Sequence, residues 1–324
     1  MNTIPTASKH RTNPFAGKTL YQGVLQPRGF PGLPEGWVSE WETFASADSE
    51  LQLFLASHHP TTWTRPKALL VFHGLGEHGG RYLHFPHFLK EDVGAIFCMD
   101  HRGHGRSEGL RGHVTRFDLL ADDAALAVRR VDEILRKRFG RAEIHVLGHS
   151  LGGLIALRML FLHPSLPIRS VTVSAPLLGV KVEVPFAKRA AAQVLSRVWG
   201  SLHMNSEIDA RAISHDSEVV EAYLSDRLVH KKGTPRFYTE LLGAINDTIR
   251  RDSGIEVPLQ MIVPLQDALV DSEASLGFFR NLKHREKQLR TYPGFFHESF
   301  NEVGKEQAFE DLRAWINTHS DSPN

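Results

Sequence analysis

From Pro66 onward, short apolar runs alternate with amphipathic stretches. The runs Ala68–Phe72, Ala95–Met99, Ile144–Leu147, Ile168–Val173, Leu259–Val263 and Gln288–Tyr292 have the length and residue types of buried strands. Their alternation with helical patterns predicts a mostly parallel sheet flanked by helices, an α/β fold. One helix is especially legible: Phe117, Leu120, Ala124, Ala127, Val128, Val131, Leu135 and Phe139 recur at helical spacing. Asp118, Asp122 and Asp123 stand near its start and Arg136, Lys137 and Arg138 at its end, which suits the helix dipole. Gly140 follows as a stop. Two earlier runs, Trp37 to Phe44 and Leu51 to Ala56, read as a hairpin joined by Ala45-Ser-Ala-Asp-Ser-Glu50. A final helix is expected around Ala308–Ile316. Residues 178–250 break the rhythm with a mostly helical stretch, expected to be an insertion capping the sheet. The α/β core then comprises 37–177 and 251–320, and residues 1–36, rich in Pro, Gly, Thr and basic residues, form an N-terminal arm.

The junction of one strand and one helix carries chemistry. Gly148-His149-Ser150-Leu151-Gly152 follows the run Ile144–Leu147 and leads straight into a helical pattern. Strand, sharp turn, helix is the setting of a nucleophile elbow, so Ser150 is the candidate nucleophile. The glycines permit the crowded backbone that lifts Oγ over the sheet end, and the helix N-terminus favours developing negative charge. His73-Gly74-Leu75-Gly76-Glu77-His78 follows Ala68–Phe72, where this arrangement supplies the second oxyanion donor. The donors are assigned to the backbone N–H groups of Leu75 and Leu151. His73 and His78 lack the helical spacing of a metal pair, and structural hydrogen bonding is their expected task.

A serine nucleophile needs a base, and the base needs an orienting acid. Only His284, His297 and His319 lie late in the chain. His297 follows the last strand on a Gly-containing loop, whereas His284 precedes that strand and His319 sits near the terminus. Asp267 falls in the loop after Leu259–Val263, at the strand end where catalytic groups collect. Asp271 precedes a helix start at Ser272 and reads as its N-cap. The triad expected is Ser150, Asp267 and His297.

Composition narrows the classes without naming a substrate. The chain has 324 residues with 38 basic and 37 acidic, a formal net charge of +1, so no global basic field recruits nucleic acid. Its single cysteine, Cys98, excludes an intrachain disulfide and a Cys-rich zinc site. That residue lies in an apolar run and reads as a buried thiol. No metal or cofactor is expected. No apolar signal region follows Met1, and no stretch reaches the ~18 apolar residues of a membrane span. A cytoplasmic enzyme is the default expectation, with a peripheral visit to a membrane surface left open.

Five separated motifs then carry a resemblance. They are His73-Gly-Leu-Gly-Glu-His78 with Gly80-Arg-Tyr82, Asp100-His-Arg-Gly-His-Gly-Arg-Ser-Glu-Gly109, Gly148-His-Ser-Leu-Gly-Gly153, Asp267-Ala-Leu-Val-Asp271 and the late His297. In this order they resemble the monoacylglycerol lipase and lysophospholipase branch of the α/β-hydrolases. The stretches Ser214–Tyr223 and Leu228-Val-His230 are also similar, and the likeness covers about residues 37–318. One departure is Pro264-Leu-Gln266, where the branch commonly has a small Gly-containing turn. The resemblance implies an eight-stranded sheet with strand two antiparallel, and hydrolysis of a fatty-acyl ester through an acyl-enzyme.

Within the insertion, Phe186, Val194, Val198, Trp199 and Leu202 make an apolar stripe, with Lys188, Arg189 and Arg197 among them. It reads as a cap helix packed on the core, as a lid that binds the acyl chain, or as a face that touches membranes. The expected partner is a small amphiphilic acyl ester. Oligomeric state is not legible. Another esterase, thioesterase or serine peptidase on the same scaffold is the alternative, because fold does not fix substrate. A catalytically silent binding module is a third reading, against which the intact triad set argues.

Overall fold

A computed structural model of the protein describes residues 26–181, 193–205 and 209–321. Its strands are β1 (Trp37–Ala45), β2 (Gln52–Pro60), β3 (Lys67–Phe72), β4 (Ala95–Met99), β5 (Glu143–His149), β6 (Ser170–Ser174), β9 (Leu259–Pro264) and β10 (Lys287–Tyr292). They form one sheet in the order β1-β2-β4-β3-β5-β6-β9-β10. β2 runs antiparallel to both of its neighbours, and the other pairs are parallel. The mostly parallel sheet is what the alternating pattern predicts, and the eight strands with β2 antiparallel are what the resemblance to the α/β-hydrolases implies.

The helices pack against both faces of this sheet. α2 (Asp118–Phe139) turns Leu120, Ala124, Val128, Val131 and Leu135 inward and ends at Gly140 in the left-handed region. α3 (Leu151–Leu162) is buried over most of its circumference, because it lies between α2 and the sheet. These helices pack on Leu70, Phe72, Val146 and Val171, one face of the sheet. On the other face, α1 (Phe85–Leu89) and α8 (Glu306–Thr318) pack on Leu69, Val71 and Ile262. Adjacent residues of β3 thus serve opposite cores, as period-two alternation requires.

Several boundaries shift from the pattern, and two of the shifts have a plain local cause. β2 continues past Ala56 to Pro60, because buried His58 has a partner in Ser39 Oγ at 2.9 Å and so remains in the strand. β6 begins at Ser170 rather than Ile168, whose N–H is taken by a local turn to Leu166.

Between β6 and β9 no described strand joins the main sheet. This stretch holds helical residues 193–198 (α4), a small β7 (Met204–Asn205) and β8 (Lys232–Gly233) pair, α5 (Ser217–Ser225) and α6 (Pro235–Ile249). Of the N-terminal arm, residues 26–36 are described. Gln26 Nε2 donates to Gly80 O at 3.0 Å. The Phe30 ring meets His84 edge-on and lies beneath the Lys305 ammonium. Residues 1–25 lie outside the described part.

Candidate active site

The C-terminal ends of β3, β5 and β9 and the loop after β10 converge. β5 ends at His149, and Ser150 follows with φ 53 and ψ −115, a strained conformation for a residue with a side chain. Its backbone is overdetermined: Ser150 N–H donates to Ser174 O, and its carbonyl accepts from Gly153, Leu154 and Leu177. Glycine is required at 152, where an added Cβ would stand 2.1 Å from Phe72 O. α3 can therefore approach β3 closely, and Ser150 sits at the N-terminus of that helix.

Gly74 lies directly opposite. A Cβ placed there would come within 3.3 Å of Ser150 Cβ and 3.2 Å of His149 Cδ2. Leu75 follows Gly74 on this loop, and Leu151 follows Ser150. Neither the Leu75 nor the Leu151 N–H has an acceptor among the described hydrogen bonds. Gly76 is held at φ 78, because any Cβ would meet His230 O at 2.5 Å. His230 N–H donates back to Gly76 O at 2.8 Å.

His297 and Asp267 meet at the other side. His297 Nδ1 donates to Asp267 Oδ2 at 2.6 Å, and both side chains are buried. The second oxygen, Oδ1, accepts the N–H groups of Leu269 and Val270, which fixes the carboxylate. Burial alone would raise the carboxyl pKa, but the His297 charge, its hydrogen bond and these N–H groups leave it lowered. For His297, burial disfavours the cation. Asp267 first, then Glu298 and Glu77, outweigh that and raise the imidazole above its ordinary value. Asp271 does other work: its Oδ1 accepts from Glu273 N at 3.0 Å and caps α7 (Ser272–Asn281).

Among the described hydrogen bonds none joins Ser150 Oγ to His297. His149, the residue before Ser150, has its ring centroid 4.7 Å from that of His297. Such bonds commonly close only when substrate arrives. His73 and His78 are both engaged in hydrogen bonds. His73 Nδ1 donates to Gly74 O and Nε2 accepts from His101 N. His78 Nδ1 accepts from Gly80 N, and Nε2 donates to buried Asp226.

The apolar stripe is divided. Val194, Val198 and Trp199 are exposed by 62%, 81% and 62%, so they do not pack on the core. Leu202 is half-buried. α4 instead docks through polar contacts, with Arg236 donating to Ser196 O and Ser196 Oγ bonded to Thr239. Phe186, with Lys188 and Arg189, lies outside the described residues.

Sequence reasoning missed the charged groups beneath the site. Glu77, Arg81 and Glu298 form a buried cluster. Glu302 accepts from Phe296 N, His215 N and His215 Nδ1. The available signal was position, since Glu77 and Arg81 lie inside one motif and Glu298 directly follows His297.

Residues 64–304 match the family described as Hydrolase_4, serine aminopeptidase S33. The chain is 31% identical to the monoglyceride lipase of Homo sapiens over 255 residues, covering 78% of this chain and 82% of that protein. It is 29% identical to phospholipase YtpA of Bacillus subtilis over 263 residues, covering 80% and 99%. YnbC of Escherichia coli is a longer relative, 28% identical over 256 residues, with 77% of this chain matching 42% of it. The crystal structure of Paleococcus ferrophilus monoacylglycerol lipase superposes with a TM-score of 0.71 at 25% identity, over 87% of this chain and all of that one.

Proposed function

The chain belongs to the serine aminopeptidase S33 family of hydrolases, and from that premise we propose that Ser150, His297 and Asp267 are its catalytic triad and that its substrates are monoacylglycerols or lysophospholipids. It is a serine hydrolase that acts on acyl esters. The observation that carries the triad reading is the His297–Asp267 bond on loops that flank the strained Ser150 turn.

The steps follow from this geometry. Asp267 holds the His297 proton on Nδ1, which leaves Nε2 free to take the Ser150 proton. Oγ attacks the ester carbonyl, and its oxygen becomes an oxyanion facing the Leu75 and Leu151 N–H groups. Collapse releases the alcohol, which takes the proton from His297, and leaves an acyl-enzyme on Ser150. Water, activated by the same imidazole, attacks that ester and releases the fatty acid.

Residues 178–250 are read as the cap. Its exposed Val194, Val198 and Trp199, with Arg197 beside them, suit contact with an acyl chain or a lipid surface. No described helix is long and apolar enough to cross a membrane. An amphiphilic substrate would be reached by transient contact from the aqueous side.

The test is a comparison of kcat/KM across monoacylglycerols, lysophospholipids, short p-nitrophenyl esters, acyl-CoAs and aminoacyl anilides. The highest values are expected for the first two classes. A clear preference for acyl-CoA or aminoacyl anilides would overturn the substrate assignment.

A further inference from the structure

Arg81 joins the two loops that the reaction must hold in register. Glu77 Oε1 accepts the Gly74 N–H at 2.5 Å and the Tyr82 O–H at 2.9 Å, while its other oxygen pairs with Arg81. The same guanidinium grips Glu298 with a two-pronged contact, Nη1 to Oε1 at 2.7 Å and Nη2 to Oε2 at 2.8 Å. Arg81, Glu77 and Glu298 side chains are 8%, 4% and 5% exposed. The Tyr223 ring covers the guanidinium at 4.9 Å, and Glu298 N–H is anchored on Ile213 O. A continuous set of charge-assisted bonds thus runs from the backbone beside Leu75 to the residue bonded to His297.

We propose that Arg81 and Glu298 are positioning residues that fix the His297 imidazole relative to the Gly74–Leu75 backbone, so that base and oxyanion donor move as one body. The role rests on the triad reading given above. A fork between planar groups fixes distance and orientation together, which a single ion contact does not. The cluster is also charged. Two carboxylates against one guanidinium leave an excess negative charge near the imidazole. The groups that bear on His297 are Asp267, Glu298 and Glu77 on the acidic side, and the His149 ring, which is neutral at ordinary pH. Arg81 stands between the two glutamates, and the Lys181 ammonium sits on the Asp267 carbonyl.

The test uses the full chain and a short soluble ester, with folding checked by circular dichroism and melting. Glu298→Gln is expected to lower kcat by about 10- to 100-fold with little change in KM, as the imidazole loses its register. It is also expected to move the acidic limb of kcat/KM to lower pH by roughly half a unit or more, because a negative charge that favours the imidazolium is gone. Arg81→Lys keeps the charge and loses the fork, so kcat falls and the limb stays. A folded Glu298→Gln chain with wild-type kcat and an unmoved limb overturns the proposal, as does a folded Arg81→Lys chain with wild-type kcat. If Glu298→Gln does not fold, Glu298→Asp keeps the charge but withdraws it, and undiminished kcat in that variant overturns the proposal too. Ser150→Ala in the same assay separates the readings. Wild-type turnover without Ser150 sinks the triad, whereas a dead Ser150→Ala beside a normal Glu298→Gln sinks only the positioning role.

Discussion

The two ends of the segment between β6 and β9 are built by opposite rules. Its later part, residues 209–249, meets the core through the apolar face of α6, where Phe237, Leu241 and Ile245 join the main core, and through polar pairs with at least one buried partner. His78 bonds Asp226, Glu302 holds His215, Gly112 O accepts from Thr234, and Tyr223 covers Arg81. Its earlier part turns Val194, Val198 and Trp199 outward. A buried charge or imidazole is tolerated only in one geometry, because any displacement leaves it unpartnered. An exposed apolar side chain has no such constraint and gains by leaving water. The first rule extends into the core loops that carry Ser150, Asp267 and His297, and these together with residues 209–249 make up the locked region. The second suits contact with hydrocarbon. Changes in the locked part should therefore damage every substrate alike, and changes in the apolar part should damage only long acyl chains.

The largest effect belongs to Ser150. Ser150→Ala should lower kcat by about 10⁴- to 10⁶-fold on short and long esters equally, judged by analogy with serine proteases. A fluorophosphonate probe should label the wild-type chain once and the variant not at all. Labelling that survives would remove Ser150 from the mechanism and break the comparison at its fixed end.

Asp267→Asn should cost about 10³-fold or more in kcat on all substrates, because the amide no longer holds the His297 tautomer. Its fold should persist, since the amide oxygen can still accept from Leu269 and Val270. Selective loss on long chains would mean that the locked region also selects substrate.

Much of this fixed region is legible in the chain before folding. The elbow has to be written in glycine, and the register of α2 in apolar periodicity, because no other residues fit those backbones. Asp267 and Asp271 could be told apart by the strand that ends before one and the helix that starts after the other. The charged cluster was not legible. Glu77, Arg81 and Glu298 have the letters of a solvated surface, and only the tertiary fold makes them partners. The same holds for the buried histidines other than His73 and His78, whose loop already points to structural hydrogen bonding. Ser39 and His58 look like strand-edge residues until β1 and β2 pair.

The buried histidines give the third prediction. Burial holds His73, His149 and His230 at about 4 and His58, His84 and His145 at about 3, so the folded protein keeps them neutral. In the unfolded chain they protonate near the ordinary value of about 6.5. Between about 6.5 and 4 the unfolded state therefore binds more protons, and stability falls as pH falls. Each such group contributes a slope of up to about 1.4 kcal/mol per pH unit. His297 acts in the opposite sense, since its raised value stabilises at low pH, but it is one group against several. Urea midpoints should drop steeply from pH 7 to 5. A flat profile would show that these imidazoles are not held neutral by the fold.

The apolar end is tested by Val198→Asp and Trp199→Asp made together. Both side chains are exposed, so the variant should melt as the wild type does. It should lose about tenfold or more in kcat/KM on long-chain monoacylglycerols, since each buried CH₂ contributes roughly 0.8 kcal/mol. On p-nitrophenyl butyrate, which needs the triad but little hydrocarbon contact, it should change little. Equal losses on both esters would place these residues with the locked region. No loss on either would leave the stripe without a part in turnover.

The smallest expected effect marks the boundary of the locked region. Asp267 and Asp271 stand four residues apart, and each gives Oδ1 to backbone N–H groups further along the chain. They differ in the second oxygen, which in Asp267 meets His297 at 2.6 Å. The Asp271 carboxylate serves the first turn of α7, where one N–H would otherwise lack an acceptor. Asp271→Ala should therefore cost about 1 kcal/mol of stability, the usual loss of an N-cap, and leave kcat within about twofold on any ester. Asp271 N–H also donates to Gly179 O, but that bond belongs to the backbone and survives the substitution. The measurement is a urea midpoint beside kcat on p-nitrophenyl butyrate. If a well-folded Asp271→Ala loses activity as severely as Asp267→Asn, the acid has been misassigned. The locked region would then extend into the cap of α7, and the division between fixed and apolar ends would have to be drawn elsewhere.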